Sequence, residues 1–351
     1  MFSSGKKLLS AVFFLIVLLS CGKVSFSDKE NKATAVNETV IVEDTASAGL
    51  KSQGIAGPTE VFEMPAQKVE WNSENAPISA DLSTMLHYPL SRWRNSEYEI
   101  FTFNQYPSLL YLITKSFTVQ SQFLKRLAFF TEKSGFIGRL ARDEEIAGLR
   151  DWFAHDYRAR DMAAFFELAR KQSFPLNESE ILLRDLLLAQ GIIKNEESRY
   201  IEGKGALLGF SVESRDRLPV YFAHETIHGL TFIIPELQKL FVDFFDSLSG
   251  IEKDFISDAL VYRGYNVLED RELLAFEMAA YLLQQKPEET DKYFRDYIMG
   301  WYAAYHKNNI GEFTAFLATN PGIFGMRSAA LQKRFEALTG LSAETFLVSQ
   351  H

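Results

Sequence analysis

The chain has 351 residues, of which 47% are apolar, 14% aromatic and 24% charged, as is typical of a globular protein with one large domain or two smaller ones. The net charge is −9 and no basic patch is interleaved with aromatic residues, which argues against nucleic acid as a partner. The single cysteine, Cys21, excludes an internal disulfide and a thiolate metal cluster.

The first 20 residues have the features of an export signal peptide. Lys6 and Lys7 precede a leucine-rich run over residues 8–19, which is short for a membrane-spanning helix. The sequence LLSC then ends at Cys21, and this arrangement resembles a bacterial lipobox. The resemblance implies cleavage before Cys21 and acylation of its thiol, and therefore a lipid anchor in a membrane of the bacterial cell envelope. The alternatives are an uncleaved signal anchor and an ordinary signal with an incidental cysteine.

The next part of the chain is polar and then gives way to helical patterns. Residues 21–80 are rich in Ser, Thr, Ala, Asn, Glu and Lys, which predicts a flexible tether; the alternative is a loop region with local order. Residues 81–200 form a mainly helical N-terminal region, with helices predicted over residues 143–157, 159–172 and 177–191.

Residues 201–351 combine one strand pattern with a long helical remainder. The sequence LLGFSVES, residues 207–214, alternates apolar with small or polar residues, which predicts a half-buried strand. Pro219 suits the first turn of the helix that follows. The predicted fold is therefore mainly α, in the α+β class, with a helical bundle and a small sheet.

The helix after the strand contains the sequence HETIH. His224 and His228 are four residues apart, so on a helix they lie on one face and can direct both imidazoles to one point. Imidazole nitrogens bind Zn²⁺ at about 2.0–2.1 Å, which this spacing allows. Glu225 lies one step round the helix, where it can act as a general base on a water molecule.

HETIH preceded by ALLGFSVES resembles the zincin metallopeptidases over about 130 residues of the chain. The resemblance implies that the preceding strand lies at the edge of the sheet and that residues 207–213 pair with an extended substrate. It also implies Zn²⁺ as the cofactor and a third protein ligand, which is a histidine or a glutamate in that superfamily. No H-x-x-G-x-x-H continuation follows, so the glutamate-containing, gluzincin-like form is expected.

Two glutamates compete for the position of the third ligand. Glu272 lies in the charged run EDRE, as expected for a solvated first helical turn. Glu277 is the one charged residue within LLAFEMAAYLL, and a carboxylate in such a setting is costly to bury unless it is paired or bound to a metal. Glu277 is favoured on this ground, and Glu272 is the alternative.

Four further residues are weaker candidates. Tyr262, Tyr265 and His306 are available to stabilise an oxyanion, although each is also explained by a structural role. His155 lies among acidic residues and arginines, which favours a structural histidine in a salt bridge.

The sequence thus predicts a lipid-anchored, zinc-dependent hydrolase in residues 201–351, namely a metallopeptidase acting on a peptide or protein. His224, His228 and Glu277 would hold zinc, and Glu225 would act as the base. One alternative is a non-catalytic binding or scaffold lipoprotein with a structural or vestigial metal site. The other is a helical protein without a metal.

Overall fold

The computed structural model describes residues 76–262, 270–305, 310–342 and 347. The predicted signal peptide, Cys21 and most of the predicted tether lie outside these ranges. The fold is mainly helical, with 61% helix, 15% strand and a small mixed sheet, which confirms the α+β prediction. No helix among the described residues has both the length and the apolar character needed to cross a membrane.

Helices make up most of the fold, and they vary in length from single turns to more than four turns. In chain order they are α1 (Leu82–Leu86), α2 (Phe117–Thr131), α3 (Asp143–Ile146), α4 (Ala159–Lys171), α5 (Glu178–Ala189), α6 (Leu218–Ile233), α7 (Pro235–Asp246), α8 (Gly250–Tyr262), α9 (Arg271–Leu283), α10 (Pro287–Lys292), α11 (Met299–Tyr305), α12 (Ile310–Thr319) and α13 (Ile323–Thr339). Short 3₁₀ turns cover Leu90–Arg92 and Val212–Arg217, and Tyr293–Ile298 is a π-helix.

The strands form a five-stranded mixed sheet and a separate hairpin. They are β1 (Ile78–Ala80), β2 (Tyr98–Phe103), β3 (Tyr106–Thr114), β4 (Ala154–Arg158), β5 (Ile193–Glu196), β6 (Arg199–Glu202) and β7 (Ala206–Ser211). The main sheet has the order β1-β2-β3-β7-β4, and β5 pairs with β6. β7 runs parallel to β3 and antiparallel to β4, so the sheet combines strands from both of the regions divided at residue 200.

The strand before the histidine helix is in the interior of the sheet, so the prediction of an edge strand at residues 207–213 is wrong. β7 has β3 on one side and β4 on the other, and all six of its residues are buried. Gly209 is small because α2 packs there: a Cβ at Gly209 would lie 2.2 Å from Cδ1 of Leu124. The absence of a Cβ at Gly209 therefore indicates close packing on a second buried face of β7, and not exposure to solvent.

Residues 81–200 are less helical than predicted, because they contain β2, β3, β4 and β5. The predicted helix over residues 143–157 is wrong beyond its first turn. Helix α3 ends at Ile146, and the edge strand of the sheet, β4, begins at Ala154. In contrast, the helix predicted after Asn177 is present as α5, and the side chain of Asn177 caps its N-terminus.

The two faces of the sheet pack on different sets of helices. On β3, Leu109, Tyr111 and Ile113 belong to the same buried core as residues of α6, α7 and α9. The alternate residues Leu110 and Leu112 belong to the core formed with α2, α4 and α5. The sheet is thus the middle layer of the fold, and α6 lies directly on one face of it.

Helix α6 is held against the sheet at Gly229. A Cβ at this position would meet Cδ2 of Leu109 and both Cδ atoms of Leu208 at 3.2 Å, so a larger residue would push the helix away. Ile227 and Leu230 on the same helix are fully buried in this core. The adjacent His228 is therefore fixed relative to the sheet by close backbone packing.

We expect Gly229→Val to lower the free energy of unfolding by about 1–3 kcal/mol, because the added carbons must enter a closely packed interface. Gly300→Val in α11 is the matched control, since no atom lies within 4 Å of a Cβ built there. Denaturant unfolding of the wild type and both variants measures the effect. Equal losses of stability in the two variants would contradict this account of the α6 packing.

Candidate metal centre

Helix α6 brings its two histidines together at the surface of the core. The Nε2 atoms of His224 and His228 lie 3.1 Å apart, and the ring centroids are separated by 4.8 Å. The exposed fractions of the two residues are only 8% and 4%. One helical turn thus directs two ring nitrogens to a common point, as the spacing in the sequence predicts.

Helix α9, which packs against α6, supplies a carboxylate to the same point. Oε2 of Glu277 lies 3.4 Å from Nε2 of His224, and Oε1 lies 3.5 Å from Nε2 of His228. Glu277 is 6% exposed, whereas Glu272 is exposed in the first turn of α9. The structure therefore brings Glu277, and not Glu272, to the two histidines.

The three side chains fit the requirements of a bound divalent cation. A tetrahedral ion with ligand bonds of about 2.0–2.1 Å separates its ligand atoms by roughly 3.3 Å, and the three separations here are 3.1, 3.4 and 3.5 Å. Burial lowers the pKa of His228, which favours the neutral imidazole that a metal requires. His224, His228 and Glu277 could thus hold a metal ion.

Gln284, at the C-terminus of α9, orients the first histidine. Its Oε1 lies 2.9 Å from Nδ1 of His224, and the residue is buried. Because an amide oxygen can only accept, Nδ1 must carry the proton, and the lone pair of Nε2 is left directed at Glu277. Gln284 follows Glu277 by seven residues, or two helical turns, so both residues lie on one face of α9.

Glu225 lies beside this centre and faces the edge strand β4. Ligand atoms of Glu225, Asp156 and His228 all lie within 4.8 Å of one another. Burial, followed by the charges of Asp156 and Glu277, raises the pKa of Glu225 well above its ordinary value. A carboxylate with a raised pKa is a better proton acceptor, as a general base near neutral pH must be.

Two residues of the centre were not identified from the sequence. Asp156 and Gln284 contact the histidine helix only because β4 and α9 pack against it. Once the element is known, a local pattern places each residue. The segment AHDYR alternates in burial, which places Asp156 on the face opposite His155 and Tyr157, and Gln284 has helical spacing from Glu277.

The salt bridge predicted for His155 is wrong. The side chain is buried, and its Nδ1 lies 2.8 Å from the hydroxyl of Tyr157. Burial lowers the pKa of His155 to about 3, so the ring is neutral and cannot form an ion pair at neutral pH. Tyr265 and His306 lie outside the described residues, as does the side chain of Tyr262.

We expect Glu277→Gln to weaken Zn²⁺ binding by about 100-fold or more, since even the loss of an outer hydrogen-bond partner costs 10–100-fold. Glu272→Gln should leave the affinity unchanged because its side chain is exposed. Competition with a chromophoric chelator measures both dissociation constants. A greater loss of Zn²⁺ affinity in Glu272→Gln than in Glu277→Gln would contradict Glu277 as the third ligand.

The stability of the metal-free protein should depend on pH through the carboxyl groups of Asp156 and Glu225. Burial raises the pKa of both carboxyls, so folding favours their protonated forms, and the associated stability is lost as pH rises through the raised pKa values. Asp156→Asn should therefore gain stability relative to the wild type as the pH is raised from about 4 to about 8. Thermal unfolding in chelator measures this difference.

Asp216→Asn, on an exposed segment, is the matched control and should track the wild type at every pH. If the curves of Asp156→Asn and the wild type stay parallel, folding does not raise the pKa of Asp156.

Comparisons with models of protein families, with curated proteins and with solved structures find no match to this chain. The functional interpretation therefore rests on the side chains that the structure brings together.

Proposed function

We propose that the protein is a zinc-dependent hydrolase of the gluzincin-like type, acting as a metallopeptidase on a peptide or protein. The observation that carries this proposal is the convergence of two imidazole nitrogens and one buried carboxylate within 3.5 Å, with Glu225 adjacent. Two histidines and one glutamate are the protein ligands of one group of catalytic zinc sites, in which the fourth position is left to water or substrate.

Each side chain has a separate role in the proposed reaction. Zinc bound by His224, His228 and Glu277 would supply Lewis-acid chemistry at the scissile carbonyl group. Glu225 takes a proton from the attacking water molecule and delivers it to the leaving amine nitrogen. Gln284 keeps His224 in the tautomer that binds a metal through Nε2. The peptide bond is thereby cleaved into a carboxylate and an amine.

The substrate-binding strand is reassigned from residues 207–213 to β4. Within the described ranges, β4 is the terminal strand of the main sheet and has β7 as its one neighbour. An extended peptide can add to such an edge by main-chain hydrogen bonds. Asp156 of β4 lies next to Glu225 and His228, so a peptide on this edge would pass over the candidate metal centre.

We further propose that Cys21 carries the lipid anchor and that the protein resides in the bacterial cell envelope. Support comes from the sequence alone, because Cys21 lies outside the described residues. A non-catalytic scaffold with a vestigial metal site is the second candidate. The retained Glu225 favours the enzyme, since a site that only binds metal has no need of a proton acceptor at this position.

We expect Glu225→Gln to lower peptide hydrolysis by roughly 10²–10⁴-fold, because removing a general base has effects of this size. Zinc content should stay at one equivalent, since Glu225 is not a ligand in the proposed site. Hydrolysis of a degenerate fluorogenic peptide library, together with metal analysis, tests both statements.

Glu272→Gln serves as the matched control and should retain wild-type activity. Chelation should abolish hydrolysis, and added Zn²⁺ should restore it. Equal hydrolysis by the wild type and Glu225→Gln would remove the enzyme assignment, and zinc retained without any hydrolysis would favour the scaffold.

A further inference from the structure

We propose that Arg158 determines specificity by binding a carboxylate group of the peptide substrate. This inference rests on the proposed peptidase function and adds to it the chemical class of group that the substrate presents. The group is either the side chain of an aspartate or glutamate, or the C-terminal carboxylate of the peptide.

The position of Arg158 is fixed by two aromatic rings next to the metal centre. Its guanidinium carbon lies 4.6 Å from the ring centroid of Phe232 and 6.0 Å from that of Phe276. Phe232 stacks on His228, with centroids 6.4 Å apart and an angle of 21° between the planes. Phe276 directly precedes Glu277 in the chain. The cation is therefore held on an aromatic surface that adjoins two of the candidate ligands.

The register of β4 places Arg158 on the same side of the sheet as the metal centre. Asp156 pairs with Leu208 and Arg158 pairs with Ala206, and both partners belong to the core shared with α6. Two residues of a strand span about 6.6 Å, and an extended peptide has the same repeat. A substrate residue two positions from the one beside Asp156 would therefore have its side chain at Arg158.

The guanidinium of Arg158 has hydrogen-bonding capacity that the protein does not use. Within the described ranges it donates no hydrogen bond and forms no ion pair, although the side chain is partly buried. Two other partly or fully buried arginines are paired, since Arg126 binds Glu180 and Arg327 binds Glu252. An unpaired guanidinium with five donors is well suited to bind a planar carboxylate through two hydrogen bonds.

The nearest acidic side chain on the strand does not satisfy Arg158. Asp156 has an oxygen within 4.8 Å of the ligand atoms of Glu225 and His228, and it forms no ion pair with Arg158. The face of β4 towards α6 therefore presents an acid at the centre and, two residues further along, a cation that donates no hydrogen bond within the described ranges. A substrate carboxylate is the group that this pattern favours.

The test uses the full chain, purified in detergent and loaded with Zn²⁺. Fluorogenic hexapeptides carry Asp, Asn, Glu or Gln at each position in turn, and every peptide is made as the free acid and as the C-terminal amide. The variants are Arg158→Met, which keeps an apolar stem over Phe232, and Arg158→Lys, which keeps the charge. Arg160→Met is the matched control, because Arg160 is exposed and pairs with Asp161 at 3.4 Å.

We expect one acidic position to raise kcat/KM by about tenfold or more over its amide counterpart, mainly through KM, because a charge-assisted pair acts in substrate binding. Arg158→Met should abolish this preference, Arg158→Lys should retain part of it, and Arg160→Met should keep all of it. Fluorescence anisotropy gives a second readout that does not require turnover. It measures the affinity of the same peptides for the Glu225→Gln variant and for the double variant Glu225→Gln, Arg158→Met.

The outcomes separate the two levels of the proposal. A preference for side-chain carboxylates, or for the free C-terminus, supports the role of Arg158 and identifies the source of the group. Hydrolysis of acidic and amide peptides at equal rates, or a preference that survives Arg158→Met, overturns it. If no peptide is hydrolysed, the proposed function fails, while the binding measurement still decides whether Arg158 recognises a carboxylate.

Discussion

The burial of Glu277 against two histidines is the interaction on which the rest of the site depends. A carboxylate removed from water is strongly destabilising unless a cation, a metal or hydrogen-bond donors compensate it. Glu277 is nevertheless 6% exposed, because α9 is apolar around it and packs against α6. The apolar contacts between α6 and α9 therefore bring the carboxylate oxygens of Glu277 to 3.4 Å from Nε2 of His224 and 3.5 Å from Nε2 of His228. A bound divalent cation would relieve the electrostatic cost of burying this carboxylate.

The sheet imposes a second constraint on the same group of atoms. Strand β4 has one face anchored in a core by Tyr157, and the opposite face is directed at α6. Asp156 on that face lies beside Glu225, and its charge adds to burial in raising the pKa of Glu225. Burial is the largest cause of that raised pKa, and Asp156 adds to it from another element of the fold. Changes in β4 would therefore alter the pKa of Glu225 and also that of His228, which the charge of Asp156 raises.

The parts of the site that were predictable from the sequence are those with local signals. His224 and His228 are one turn apart on a helix, and Glu277 is conspicuous as an isolated charge in an apolar segment. The position of the edge strand was not predictable in this way. The alternation in β7 suggested an exposed face, but Gly209 provides space for Leu124 of α2, and only the packing of distant elements distinguishes these two situations. Gln284 was missed for the same reason, since its partner is 60 residues away in the chain.

The reassignment of the edge strand also changes which residues can influence a substrate. Had β7 formed the edge, its apolar and small side chains would have offered little chemical discrimination. With β4 at the edge, the strand period of two places Asp156 and Arg158 on the face towards the candidate metal centre and buries His155 and Tyr157 on the other. The buried pair His155 and Tyr157 anchors the strand in the core. In the proposed peptidase, a strand with one structural face and one charged face could therefore acquire or lose substrate preference while the candidate ligands on α6 and α9 stay in place.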